Sequence, residues 1–438
     1  MSPLVRFAAA GAVVLVVAAW APAQSRDQKR ELVKVTDRVY VASGYALGNV
    51  IFLVTDKSVV VVDTTESQEA ARATLAEFRK VSPLPVSYII YTHNHGDHIR
   101  GAKVFKNEHT KIIAQKLLPV ELAKYDLLGL YNRRVAHYQF GGKLPVAERG
   151  VSLALPIDGK TPVPPSGYIA PDILFDEEYK FEEGGVRFEL YHTQGETPDH
   201  LMVWLPQQKV LLPGDLFYWS FPMLASPMKP DRPILEWAQS LDRMRKLHPQ
   251  FLVPSHWQGV AGEQEVDTTL ANYARAIRYV HDETVKRLNQ GRPLDEMRQQ
   301  IRLPEDLAKL PYLAPNYGTV AWGVEGVYRH YTGWYDFNPA RLNPGQPAAF
   351  NRAVLEASGG AESLIKRGRL AIGEGQPQLA VELMNIILSV DPKHGGAHAV
   401  CAEAYQKLAD ASVNTIALNI YRTAAQEHKK LADKPPAP

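Results

Sequence analysis

The chain has 438 residues, 45% of them hydrophobic and 22% charged, with a formal net charge of +2. That length exceeds one ordinary core and points to two or three domains. The near-neutral balance excludes a global field that would recruit nucleic acid or an anionic membrane. Cys401 is the only cysteine, so no intrachain disulfide exists, and a small buried role is expected for it.

Arg6, the apolar run from Phe7 to Trp20 and the sequence Ala21-Pro22-Ala23 form a basic region, a hydrophobic region and a small-residue cleavage site. Residues 1–23 therefore read as a secretory signal peptide, which would place the mature chain, 24–438, outside the cell or in the periplasm. The run is shorter than the ~20 residues needed to span a bilayer, and no later stretch is long and apolar enough, so no membrane span is expected in the mature chain.

After a polar linker, Gln24 to Glu31, short strands are expected at Arg38–Ala42, Asn49–Val54 and Ser58–Asp63. A helix follows from Ser67 to Lys80, with apolar positions at Ala71, Leu75 and Phe78. The buried strand Val86–Ile90 runs into Tyr91-Thr92-His93-Asn94-His95-Gly96-Asp97-His98. Three of the chain's 14 histidines fall around one aspartate there. Imidazole nitrogen and carboxylate oxygen suit a divalent ion of zinc type, and a strand end holds them in one tight loop.

Leucine-rich helical sequence leads to a Gly- and Pro-dense stretch, 141–175, expected to form a substrate wall. A second strand series covers Tyr179–Phe181, Val186–Tyr191, Leu201–Leu205 and Lys209–Leu212, then a helix from Ile234 to Leu247 and a strand Phe251–Val253. Two β-rich halves flanked by helices imply a four-layer α/β/β/α sandwich with its site at the strand ends. Beyond about Asp267 the pattern is helical: Asn272–Gln290, an aromatic-rich helix ending near Trp334, and helix pairs from Ala361 onward. The last resemble one tetratricopeptide-like unit, too few repeats to stand alone.

Three further signals stand at strand ends: His192-Thr193-Gln194-Gly195-Glu196-Thr197-Pro198-Asp199-His200, Gly214-Asp215, and Ser255-His256-Trp257. Each alone is weak, since a Gly-Asp is commonly a turn and a lone histidine a hydrogen-bonded loop residue. Taken in order after the cluster, they resemble the five-motif signature of the metallo-β-lactamase-fold hydrolases. That resemblance implies two Zn2+ per chain. His93, His95 and His200 would hold one ion, Asp97, His98 and His256 the other, and Asp215 would bridge them. Asp63 would brace the loop by hydrogen bonds, and Glu196 is the substitute for His200.

Tyr317-Gly318-Thr319-Val320-Ala321-Trp322 and the segment Val327 to Ala340 look like the dimerisation segment of the alkylsulfatase branch of that superfamily. The resemblance implies an αββα catalytic domain, 24–265, an all-α TPR-like dimerisation domain, 266–430, a tail, 431–438, and a homodimer. It implies hydrolysis of an alkyl sulfate ester, an amphiphilic small molecule, by a metal-bound hydroxide that Asp97 would orient. Tyr131, Arg133, Tyr218, Lys229 and Tyr317 are the expected substrate-binding residues. Where relatives carry an Arg-Gly against sulfate, this chain reads Met223-Leu224-Ala225-Ser226-Pro227-Met228-Lys229, which leaves Lys229 as the charge in that stretch. Competing readings are a lactone or β-lactam hydrolase on the same ions, and a non-catalytic dimeric binding protein.

Overall fold

The structure, a computed structural model, describes residues 29–152 and 166–433. The expected signal peptide, part of the Gly- and Pro-dense stretch and most of the tail lie outside the described residues. One sheet is ordered β1 (Glu31–Lys34), β2 (Val39–Ser43), β3 (Val50–Val54), β4 (Val59–Val62), β5 (Val86–Ile90), β6 (Lys111–Gln115) and β7 (Ile173–Phe175). β1 to β4 pair antiparallel and β4 to β7 parallel. The other sheet holds β8 (Glu178–Glu183), β9 (Val186–His192), β10 (Leu201–Leu205), β11 (Val210–Leu212), β12 (Phe251–Leu252) and β13 (Val260–Ala261) in that order.

Side-chain alternation builds the layers. Ile51, Leu53, Val60 and Val62 point inward and meet Phe188, Leu190, Val203 and Leu212 of the second sheet. Their neighbours Val50, Phe52, Val59 and Val61 point outward, beneath the helix Gln68–Phe78. Phe78 stacks on Phe52 with ring centroids 3.9 Å apart. Ser67 caps that helix by accepting the Ala70 N–H at 3.2 Å, which explains why it starts there. On the far side Met202, Trp204, Leu211 and Leu252 pack under Trp237 and Leu241 of the helix Ile234–Arg245 and under the helix Glu263–Asn289. The four-layer α/β/β/α architecture expected from the sequence is therefore the one observed.

Several elements differ from the sequence expectation, the short strands β7 and β13 among them. Residues 31–34 form an edge strand where the expected linker ends, at Glu31; the strand went unassigned because its charged side chains are exposed and carry no apolar alternation. β6 was not anticipated, since a parallel strand buried on both faces shows no alternation either: Ile112, Ile113 and Ala114 are all fully buried. The long helix starts at Glu263 rather than Asn272, because its first turns lie against the sheet and share that core through Val266 and Leu270.

The chain ends in the helices Pro347–Ala357, Ala361–Gly373, Pro377–Val390, Gly395–Asp410 and Thr415–Ala432, with Cys401 buried among them. The last helix is tied back to the first half of the chain. Fully buried Asn419 donates to the carbonyls of Gln139 (2.8 Å) and Val151 (2.9 Å) and accepts the Gly150 N–H at 2.8 Å. Asn414 donates to the carbonyls of Pro315 and Tyr317. These bonds hold the 139–151 and 315–317 segments, which flank the loop cluster at the strand ends.

Candidate metal centre

The centre is assembled around a buried carboxylate that belongs to neither possible ligand group. Asp63 follows β4 with φ 59°, a left-handed conformation unfavourable for a residue with a Cβ. Its oxygens accept from the Thr92 N–H (3.0 Å), the Thr92 hydroxyl (3.0 Å), the Ser255 hydroxyl (2.7 Å) and His98 Nδ1 (2.8 Å). A carboxylate can only accept, so His98 carries its proton on Nδ1 and turns Nε2 into the site. The Thr92 hydroxyl gives its proton to Asp63 and therefore accepts from His93 Nδ1 at 3.0 Å, which leaves the lone pair of His93 Nε2 free as well.

The free nitrogens converge. His93 Nε2 lies 2.9 Å from His95 Nδ1, and His95 Nδ1 lies 3.5 Å from Glu196 Oε1. Asp215 Oδ2 stands 3.8 Å from His93 Nε2, 3.5 Å from His98 Nε2 and 3.2 Å from His256 Nε2. Asp97 Oδ2 is 3.7 Å from His98 Nε2 and 3.6 Å from His256 Nε2. Among the described residues, His93, His95, Glu196 and Asp215 form one possible ligand group, and Asp97, His98 and His256 form another. His98 Nε2, Glu196 Oε2 and Asp215 Oδ1 are buried without a hydrogen-bond partner. Buried polar atoms of this kind are rare unless an ion or water completes them, so the donor set fits divalent metal ions.

His200, expected from the sequence to be a ligand, falls in neither group. Its Nε2 accepts the Asp215 N–H at 3.1 Å and its Nδ1 pairs with the Thr193 hydroxyl at 2.9 Å. Both nitrogens are committed, and burial pushes its pKa down to about 3. Glu196, four residues earlier, takes the place beside His93 and His95. Burial raises its carboxyl to about 7, against the pull of the Arg232 guanidinium, which donates to Glu196 Oε1 and, at 2.7 Å, to the Met223 carbonyl.

Electrostatics divides the histidines. Burial, reinforced by His98 and by Lys229 respectively, holds His93 and His95 well below the usual imidazole range. For His98 and His256 burial acts the same way but is outweighed by Asp215, with Asp63 and Asp97 adding for the first and Asp97 for the second. His256 rises to about 9.

The expected substrate-binding residues divide as well. Lys229 lies close enough to Glu196, Asp97 and Asp215 to feel all three, and its ammonium is 5.9 Å from the Phe140 ring. Tyr317 is partly buried, edge-on to Tyr218 at 5.9 Å. Tyr218 is core rather than pocket lining: it is 2% exposed and its hydroxyl accepts the Met223 N–H at 2.7 Å. Tyr131 is half exposed and donates to the Met228 carbonyl at 2.9 Å, bracing the Lys229 loop. Arg133 is exposed on the helix Gly129–Gln139. Two residues went unread in the sequence. Arg232 sits three positions past Lys229, directly before the helix whose Trp237 its guanidinium overlies at 5.7 Å. Tyr125 sets its ring 6.5 Å from His95.

Comparison with known proteins agrees with this geometry. The metallo-beta-lactamase superfamily model matches residues 44–256, and the alkyl sulfatase dimerisation model matches residues 293–430. The chain is a hydrolase-class enzyme of the metallo-β-lactamase superfamily, with its fold and its strand-end ligand loops. Within it, the chain belongs to the alkylsulfatase family. It is 32% identical over 391 residues to a linear primary-alkylsulfatase of a Pseudomonas sp., covering 85% of this chain and 72% of that one. It is 28% identical over 410 residues to an alkyl/aryl-sulfatase of Saccharomyces cerevisiae, covering 90% of this chain and 63% of the relative. The solved structure of the stereoselective inverting sec-alkylsulfatase Pisa1 from Pseudomonas sp. matches with a TM-score of 0.83 at 27% identity, over 93% of this chain and 66% of that one. The chain thus spans about two thirds of the length of these relatives.

Two measurements check the ligand assignment. Glu196→Ala is expected to lose about one equivalent of metal by elemental analysis, while His200→Asn keeps its metal and loses thermal stability; the reverse pattern would return His200 to the ligand set. In the metal-free protein His256 has a folded pKa of about 9, raised above its ordinary 6.5. Its stabilising contribution is fully present below pH 6.5 and is lost as pH rises through about 9. The Tm of chelator-treated protein should therefore fall between pH 6.5 and 9, and His256→Asn should flatten that fall.

Proposed function

We propose that the protein is a dinuclear zinc hydrolase that cleaves alkyl sulfate esters, releasing an alcohol and sulfate from ester and water. The observation that carries the reading is the convergence of seven donors on two ligand groups around Asp215, beside two cationic side chains, in a chain of the alkylsulfatase family. His93, His95 and Glu196 would hold one ion, Asp97, His98 and His256 the other, with Asp215 between. When bound, such a pair supplies Lewis acidity and lowers the pKa of a shared water towards ~7.

The chain's own residues do the rest. Asp97 Oδ2, 3.7 Å from His98 Nε2 and 3.6 Å from His256 Nε2, would accept a hydrogen bond from the attacking water and orient it. Lys229 offers a point charge to sulfate oxygens, whereas a fork-like guanidinium would grip two at once. Arg232 is committed to Glu196 and Met223, so it opposes the protonation that burial favours at that ligand and stiffens the loop that carries Lys229. Tyr125, Phe140 and Tyr317 border this charged floor and suit an alkyl chain.

Two further proposals concern the whole molecule. The segment matched by the dimerisation model exposes Trp334 (77%), Phe337 (82%) and Phe350 (70%), apolar surface that a second copy would cover. The basic, apolar and Ala-Pro-Ala pattern of residues 1–23 supports export, to the periplasm or beyond.

A screen of zinc-loaded residues 24–438 against dodecyl sulfate, a secondary alkyl sulfate, a homoserine lactone and a carbapenem tests the reaction. Sulfate release from an alkyl ester is expected, and turnover of the lactone or carbapenem alone would overturn it. His95→Ala should abolish turnover while leaving the far-ultraviolet spectrum unchanged, and Lys229→Ala should raise KM for the sulfate ester by about 10–100-fold, the worth of one charged hydrogen bond. Light scattering should return the mass of two chains, with Phe337→Glu shifting it toward one.

A further inference from the structure

Glu66 is a buried carboxylate that the reaction does not use. It is 2% exposed, and burial pushes its pKa up to about 8. It stands in the turn between β4 and the helix Gln68–Phe78, following Thr65, whose φ of 70° is a second left-handed position in that turn. The turn is pinned to the ligand loop on its other side: the Thr64 N–H donates to the His98 carbonyl at 2.7 Å, and the Arg100 N–H donates to the Thr65 carbonyl at 3.1 Å.

Both oxygens of Glu66 lie 3.2 Å from the Leu47 N–H. The carbonyl of the same residue accepts from His256 Nδ1 at 3.0 Å. A carbonyl has no proton to give, so this bond puts the His256 proton on Nδ1 and leaves Nε2 toward Asp97 and Asp215. The main chain of Leu47, through the two peptide groups that flank its Cα, thus connects a fixed carboxyl to the imidazole of a candidate ligand. The rest of the loop reaches the same half of the centre. A Cβ on Gly48 would lie 2.8 Å from the Asp97 carbonyl oxygen, so that loop and the Asp97 backbone are in direct contact. The Asn49 N–H donates to the Ser255 carbonyl at 2.7 Å, and its side chain donates to the carbonyls of Pro254 (3.1 Å) and Trp257 (2.8 Å).

We propose that Glu66 is a positioning residue for the Asp97–His98–His256 half of the centre, acting through the main chain of Leu47 to hold His256 in its Nδ1–H form and at its place. This rests on the two-ion reading above. Glu66 touches neither ion nor substrate. Its effect is selective, because the His93–His95–Glu196 half hangs from Thr92 and Arg232 instead.

The test is chelator competition on the zinc-loaded mature protein, read as two separate affinities, with kcat and KM measured in parallel. Glu66→Ala is expected to weaken one of the two ions by about 10–100-fold, the usual effect of removing an outer partner of a metal-binding histidine. The other affinity should stay put, and kcat should fall with KM little changed. Glu66→Gln keeps an acceptor oxygen at the same reach and should restore most of both. Glu66→Asp keeps the carboxyl group but is one methylene short, and should not. That Gln–Asp contrast carries the test if the alanine variant fails to fold. Equal affinities in wild type and the Asp and Ala variants would overturn the proposal while leaving the two-ion reading intact. Wild-type protein that binds a single ion would overturn both.

Discussion

The structure depends on one buried carboxylate. Asp63 is fully buried, sits in a left-handed turn and gathers hydrogen bonds from Thr92, Ser255 and His98. Those three residues belong to segments that follow β5 and β12, in different sheets. An unpaired carboxylate in that environment would cost several kcal/mol, so the folded state is compelled to bring these two segments onto the Asp63 turn. The tautomers of His93 and His98 follow from the same bonds, and the direction in which each imidazole offers its lone pair follows from the tautomers. The strained backbone is supported by this network and is itself part of how the site is aimed.

Around that hub the charges are arranged in opposition. Asp97, Glu196 and Asp215 lie with His98 and His256 in a volume from which water is largely excluded. The acids hold those two histidines protonated in the metal-free protein. Burial holds His93, beside His98, and His95, near Lys229 and Arg232, well below the usual imidazole range. One half of the centre is thus ready to accept a cation at neutral pH, while the other must release protons to do so. The half that must release protons is the one gripped by the Leu47 loop, so its imidazole is held in orientation whichever species occupies it.

Much of this was legible in the linear chain because it is local. A buried strand followed by His-x-His-x-Asp-His is recognisable from neighbours alone, and so are the strand-end positions of Asp215 and His256. What could not be read depended on which of two nearby candidates points inward. Glu196 and His200 are both plausible ligands within one loop. The choice was made by the Asp215 amide and the Thr193 hydroxyl, which occupy both nitrogens of His200. Tyr218 failed as a pocket residue for a similar reason, since an aromatic at that spacing serves a core as readily as a channel. Arg232 escaped notice because a single arginine before a helix has no local signature; its meaning lies in Glu196, 36 residues away.

The sequence by itself determined the αββα class, the ligand loop and the family, because periodicity and motif spacing are properties of neighbouring residues. Tertiary structure alone decided which donors face each other, which cation neutralises which acid, and how a loop at Leu47 reaches an imidazole 209 residues later. Those relations are set by hydrogen-bond geometry and burial between segments far apart in the chain. Composition and spacing carry no record of them, whereas each buried polar atom, required to find a partner, does.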